Sequence, residues 1–201
     1  MKIVGIAGGS GSGKSTICQQ LVRAVNAPCA VITHDSYYRC LKTLSLTERQ
    51  NVNFDHPDAL ETELLCHHID QLCDDEAIEI PEYCFATHTR LPSGPRISPK
   101  PILFVEGVLT LCNTNLRARF DVSVFVHADD TTRLERRKAR DVLERGRTAE
   151  SVLQQWEQSV LPMHQRFVEP SRHHADVVID NHETPNLEPV LRILRRLHAD
   201  D

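Results

Sequence analysis

Gly8-Gly9-Ser10-Gly11-Ser12-Gly13-Lys14-Ser15 fits G-x-x-x-x-G-K-[ST], a pattern that cradles phosphate when it joins a strand to a helix. Both flanks are present. Ile3, Val4, Ile6 and Ala7 form a short apolar run typical of a buried strand, and Ile17, Leu21, Val22 and Val25 recur at the spacing of one helix face. Glycines let successive backbone N–H groups turn towards phosphate oxygens, and the helix that follows presents its positive end to them. The stretch from Gly8 to Ser15, with Thr16 next to it, is therefore the predicted triphosphate cradle. Lys14 would reach the outer phosphates and the Ser15 hydroxyl would ligate Mg²⁺.

Working outward, residues 30–33 read as a second buried strand that delivers His34-Asp35-Ser36-Tyr37-Tyr38 at its C-terminal end. In open α/β sheets, ligands sit at that edge. Residues 43–53 are polar and read as a helix or loop over the site. A helix then opens near residue 53, with Asp55 or Asp58 as its cap and Leu64, Leu65, Ile69 and Leu72 inward. Residues 78–80 and 83–88 alternate as short strands around Pro81, and 91–101 is a Pro/Gly loop, so 78–101 reads as an inserted hairpin. Residues 102–105 form the most continuous apolar run and end in Glu106, the mark of a central parallel strand with a carboxylate at its tip. Residues 122–126 and 177–179 supply two more strands, and a last helix covers about 186–198. The alternation predicts an α/β phosphate-loop fold in three layers: a five-stranded parallel sheet, helices on both faces, the inserted hairpin and a helical lid. We expect one domain over residues 1–201.

Composition narrows the partners. A net charge of −5 argues against general nucleic-acid binding. No window approaches the roughly 18 apolar residues of a membrane span. The N-terminus runs straight into the first strand without a signal-peptide pattern, so we expect a cytoplasmic chain. Seven scattered cysteines with no C-x-x-C pair suit a reducing compartment, most of them acting as small buried apolar residues. The adjacent histidines at 67–68 and 173–174 lack structural-zinc spacing. Between Thr131 and Arg147, seven basic residues face three acidic ones, a local +4 in an acidic chain.

That basic segment, about 131–150, reads as a helix on which Arg133, Arg136, Arg137 and Arg140 share one face, a lid over the triphosphate. A solvated charged face is the plainer alternative. Asp35 and Glu106 stand at strand C-termini on the phosphate side and, with Ser15, form a plausible Mg²⁺ shell. Asp35 is also the candidate base for an attacking hydroxyl, since the cluster that includes Tyr38 follows it. Phe54, Tyr83, Phe85 and His88 would make an aromatic pocket for a flat heterocycle; the residues alone do not separate that from ordinary core.

Along nearly its whole length the sequence resembles the uridine kinases of the phosphoribulokinase/uridine kinase family. The resemblance is carried by GGSGSGKS at 8–15, HDSYYR at 34–39, NFDHPDALE at 53–61, IEIPEYCFATHTR at 78–90 and LFVEG at 103–107. It continues through RLERRKARDVLERGR at 133–147 and PMHQRFVEPS at 162–171. It implies transfer of the γ-phosphoryl group of ATP or GTP to the 5′-hydroxyl of uridine or cytidine. It puts the catalytic base on Asp35, Mg²⁺ neighbours on Ser15 and Glu106, ribose-diol contacts on Asp55 and Arg137, and base recognition on Tyr83 and His88. Arg140 and Arg145 correspond to phosphate-side or lid arginines and Gln155 to a further nucleoside contact. Such enzymes are cytosolic homotetramers of pyrimidine salvage. Cys84 and His127 stand where the family usually has Asp. A relative acting on another hydroxyl, such as a phosphoribulokinase, and a non-catalytic nucleotide-binding regulator are the competing readings.

Overall fold

The computed structural model describes residues 1–182 and 184–199; Asp200 and Asp201, the end of the expected domain, lie outside the described residues. Strand β1 (Lys2–Ala7) feeds the glycine loop and helix α1 (Lys14–Ala24), and β2 (Cys29–Thr33) follows. A short α2 (Leu46–Gln50) and then α3 (Thr62–Cys73) lead to four two-residue strands. These are β3 (Ile78–Glu79), β4 (Tyr83–Cys84), β5 (Thr89–Arg90) and β6 (Arg96–Ile97). The chain returns to the sheet with β7 (Ile102–Glu106), passes through α4 (Thr114–Arg117), and adds β8 (Val122–His127). Helices α5 (Asp130–Arg145) and α6 (Ala149–Gln155), strand β9 (Val177–Asp180) and helix α7 (Glu188–Ala199) complete it.

The main sheet is parallel with five strands in the order β2-β7-β1-β8-β9. Strand alternation divides its side chains between two cores. Val4, Ile6, Ile102, Phe104, Val122 and Val124 meet Ile17 and Leu21 of α1 and Val190 and Leu194 of α7 on one face. Ile3, Ile32, Leu103 and Val105 meet Leu65, Ile69 and Leu72 of α3 on the other. Both faces are thus covered, and β7, sandwiched between β1 and β2, is buried at every position. That is why its sequence is a continuous apolar run.

Four expectations are corrected. Neither Asp55 nor Asp58 caps a helix: α3 begins after Glu61, and Pro57–Ala59 is a separate single 3₁₀ turn. Pro57 and the extended backbone at Leu60 hold the two apart. The 91–101 loop contains β6, which pairs antiparallel with β3 (Ile78 opposite Ile97), while β4 pairs with β5 (Tyr83 opposite Arg90). The insertion is therefore two nested ladders rather than one hairpin. Phe85 lies in the turn that joins β4 to β5, so strand alternation does not set its direction. Among the cysteines, only Cys18 and Cys66 are buried; Cys73 is exposed and the others are intermediate.

After α6 the helix does not stop. It continues through two π turns, Trp156–Val160 and His164–Val168, separated by Leu161–Met163 and followed by Glu169–Ser171. A π turn carries one extra residue and re-aims the side chains around it. Trp156 and His164 open the two turns and both are buried.

Candidate active site

The glycine loop leaves β1 and wraps into α1. Gly11 has φ 83° and Gly13, at the helix N-cap, has φ 86°, left-handed conformations that favour glycine. A Cβ on Gly11 would stand 2.1 Å from the carbonyl oxygen of Arg133. No side chain caps α1 and no acidic residue sits in its first turn. Its N-terminus is left for an anion. Lys14, Ser15 and Thr16 occupy that first turn.

At the tip of β7, Glu106 is buried, and its Oε1 accepts from Ser15 Oγ at 3.2 Å and from Thr33 Oγ1 at 3.4 Å. Its Oε2 is buried with no partner. Burial pushes the Glu106 carboxyl up; Lys14 opposes this and Asp35 adds to it. An orphaned buried carboxylate oxygen beside a hydroxyl, a lysine and a second carboxylate is what an oxygen-seeking divalent cation would satisfy. The residues present therefore fit Mg²⁺. Among the described residues no group of three or more His, Cys, Asp or Glu side chains could hold a metal. The fit is to an ion sharing its shell with hydroxyl, water and phosphate rather than to an all-protein cage.

Asp35 stands on the turn after β2 and lines a cavity of about 690 Å³ with Ile80, Glu82, Tyr83, Phe85 and Pro95. Beside that cavity the aromatic residues come together. Phe54 stacks on His88 (centroids 4.5 Å, 16°), Tyr38 meets Phe54, Tyr83 and Phe85, and Tyr83 meets Phe85 at 5.2 Å. Tyr83 Oη and His88 Nδ1 are buried without partners. Burial drives the Tyr83 hydroxyl up to about 12 and lowers the His88 imidazole, with Arg49 adding to the latter. Both remain neutral hydrogen-bonding groups at neutral pH. Asp55 accepts from Ser159 Oγ at 2.7 Å; burial raises its carboxyl, against that hydrogen bond and the charge of Arg137.

Helix α5 packs along the outside of the glycine loop. Arg137 donates to Ser10 Oγ at 2.7 Å and to Gln155 Oε1 at 2.9 Å. Arg136 donates to the carbonyl of Asn181, whose amide in turn donates to the Ser12 carbonyl at 2.7 Å. Arg133 is fully buried against Ser10, Gly9 and the Trp156 ring. The expected face is split, however. Arg140 turns away to Asp141 at 2.8 Å, and so do Arg145 at 3.6 Å and Arg147 at 3.3 Å. With Arg137 at 3.7 Å, four guanidinium groups surround one fully buried carboxylate. Burial pushes the Asp141 carboxyl up, but Arg140, then Arg137 and Arg145, more than offset it and hold it below its ordinary value. Arg145 also lies over the Phe85 ring at 5.6 Å, linking this cluster to the aromatic one.

Several neighbours of the site were not anticipated. Thr33, Ser159 and Asn181 each hold a candidate group in place. Thr33 had a legible signal, since it ends the strand that delivers Asp35. Ser159 and Asn181 had none, because only the packing of distant segments brings them in.

The family model for the phosphoribulokinase/uridine kinase family matches residues 3–188. The chain is 46% identical over 177 residues to the uridine kinase of Chloroflexus aurantiacus, covering 88% of this chain and 85% of that one. It is 43% identical over 182 residues to the uridine kinase of Vibrio parahaemolyticus, at the same coverages of 88% and 85%. Among solved structures, the phosphoribulokinase of Rhodobacter spheroides shares the fold at a TM-score of 0.65 and 16% identity, over 89% of this chain and 69% of that one. A D-glycerate 3-kinase of Cryptococcus neoformans does so at 0.66 and 14%, over 92% and 87%. With the matched region running from the first strand to the start of the last helix, this chain belongs to the phosphoribulokinase/uridine kinase family.

Proposed function

We propose that this protein is a uridine–cytidine kinase, moving the γ-phosphoryl group of ATP or GTP to the nucleoside 5′-hydroxyl with Mg²⁺ as cofactor. One observation carries the reading. A phosphate loop, the pair Asp35 and Glu106, and an aromatic cluster with a carboxylate at its side converge on one edge of the sheet. The names of the relatives at 46% and 43% identity support a nucleoside over a sugar phosphate or a non-catalytic role.

Phosphoryl transfer is mostly positioning and charge stabilisation. The glycine-loop amides and Lys14 bind the phosphates, and Arg137 adds positive charge from α5; Arg140 and Arg145, paired with Asp141 here, would reach the phosphates only on leaving it. Tyr83, Phe85 and His88 hold the pyrimidine, with Tyr38 and Phe54 closing the ring cluster. Asp55 and Arg137 take the ribose diol, and Gln155 fixes Arg137. Asp35 accepts the proton of the 5′-hydroxyl as it attacks. Ser15, Asp35 and Glu106 would hold Mg²⁺, which supplies neutralising charge to the phosphates when bound. No helix among the described residues is long and apolar enough to cross a membrane. We place the enzyme in the cytoplasm, in pyrimidine salvage, as a homotetramer.

The test is a coupled assay of uridine, cytidine, deoxyuridine and ribulose 5-phosphate against ATP and GTP, with Lys14→Ala as control. Uridine and cytidine should turn over and ribulose 5-phosphate should not. Losing one hydroxyl of the diol leaves Asp55 or Arg137 unpaired, so deoxyuridine should be disfavoured about tenfold or more. Lys14→Ala should lose at least about 10³-fold. Turnover of ribulose 5-phosphate, or of none of the four, would refute the reading.

A further inference from the structure

Behind the glycine loop lies a group that the proposed mechanism does not use. His164 opens the second π turn and is buried, with Nδ1 lacking any partner. A Cβ on Gly9 would stand 2.9 Å from that Nδ1 and 2.4 Å from an Arg133 guanidinium nitrogen. The histidine and the arginine therefore form the wall against which the loop rests. On the far side, His164 Nε2 lies 3.4 Å from a Glu169 carboxylate oxygen. A carboxylate accepts, so Nε2 carries the hydrogen and Nδ1 presents a lone pair.

Arg133 has the complementary defect. Its Nε is also buried without an acceptor. The rest of its guanidinium is engaged with Asp130 at 2.5 Å, the Ser10 carbonyl at 3.4 Å and the Trp156 ring at 4.9 Å. The first π turn supplies Trp156 beneath the Arg133 guanidinium, and the second supplies His164 beside Gly9, so both distortions of the long helix place a side chain at this wall.

We propose that His164 is a positioning residue for phosphoryl transfer, its Nδ1 lone pair acting through Arg133 to fix the glycine loop at Gly9 and Ser10. Nδ1 and the guanidinium share no hydrogen bond, and both line Gly9; the lone pair acts on the neighbouring cation through its field, and Glu169 sets the tautomer that leaves Nδ1 without a hydrogen. The charged groups facing the imidazole agree with this polarity. Burial first, then Arg133, hold His164 down to about 4, against Glu169 and Asp130, so the ring is neutral under working conditions.

This inference rests on the kinase reading, and its test compares two amides of opposite reach. His164→Asn carries its carbonyl near the place of Nδ1, and His164→Gln near that of Nε2. With uridine and ATP, the Asn variant should keep kcat within about threefold. The Gln variant should lose at least about tenfold in kcat while the uridine KM stays within about threefold, as a misplaced loop would cause. In an Arg133→Lys background the gap between the two should close to within about twofold, because the interaction they differ in is gone. Equal loss in both variants, including loss of the fold, marks His164 as packing and overturns the proposal, as does a gap that persists without Arg133. Titration of Mg-ADP separates the two readings. A weaker affinity in Gln than in Asn supports the positioning role even if uridine is not the acceptor; equal affinities overturn it.

Discussion

At the residue scale, chemistry and stability meet on adjacent positions of one turn. Asp35 faces the cavity, while His34 is fully buried with Nε2 bonded to Thr62. Asp35→Asn keeps the shape but cannot accept a proton, so kcat should fall at least about a hundredfold with uridine KM within a few-fold. Initial-rate kinetics check it, and a loss confined to KM would mean that Asp35 only positions substrate. Burial holds His34 down to about 4 from 6.5, with Asp35 opposing. The folded state therefore stays neutral where the unfolded chain takes up a proton. The contribution of His34 to stability is complete above pH 6.5, is lost as pH falls towards about 4, and is not lost further below that. The raised carboxyls of Glu106 and Asp55 act with the opposite sign. His34→Gln isolates the histidine. Between those limits its unfolding free energy should depend on pH less steeply than the wild type's, by up to about 1.4 kcal/mol per unit. Urea titrations at several pH values check it. Of these residues, Asp35, Glu106 and Ser15 were legible because strand ends and the glycine motif place them by rule. Trp156, His164 and Asn181 were not, because π turns and distant packing leave no pattern in a linear chain.

At the element scale, α5 is held by a charge arrangement that a count of charges concealed. Seven basic and three acidic residues suggested a surplus, yet Asp141 alone engages four arginines. Asp141→Asn should lower stability by about 2–4 kcal/mol, since buried Arg137 would lose its counter-charge and face three partly exposed cations. Thermal unfolding should show a Tm about 5–15 °C lower, with Arg140 and Arg145 released towards the aromatic cluster. A change under about 2 °C would mean that solvent screens the arginines without the carboxylate. Helix periodicity placed α5 correctly; what it could not show was that a buried acid would pull Arg140 off the shared face.

The inserted ladders give a milder case. Cys84, where the resemblance implies Asp, turns its thiol back onto its own turn. A hydrogen bond with the Thr87 side chain, then bonds with the Thr87 and Ala86 amides, lowers its pKa. A carboxylate would accept the same bonds more strongly. Cys84→Asp should therefore leave the fold intact and change kcat/KM for uridine less than about tenfold. A much larger gain in activity would place the turn inside the catalytic machinery. The ladders themselves were only partly legible, because two-residue strands are too short to show alternation.

At the scale of the whole molecule, the parallel sheet and its two covered faces followed from five apolar runs separated by helical patterns. The strand order did not, since no local signal says which runs become neighbours. That order has a consequence for how the protein is made. Strand β1, synthesised before the other strands of the sheet, pairs with β7 (Lys2 opposite Ile102) and with β8 (Val4 opposite Val122), and among the described residues has no sheet partner closer in the chain. The glycine loop is thus synthesised early but cannot acquire its shape until more than half of the chain has emerged. Parallel pairing at such separations is slow and leaves apolar strands open meanwhile. Nascent chains halted before β7 should fail to be retained on immobilised ATP, and chains released past α5 should be retained. Retention of the shorter ones would mean that the loop folds on its own. On this order of events, translation rate and chaperone supply govern how much kinase a cell obtains from its message, and a codon change between β1 and β7 can alter yield without altering a single side chain.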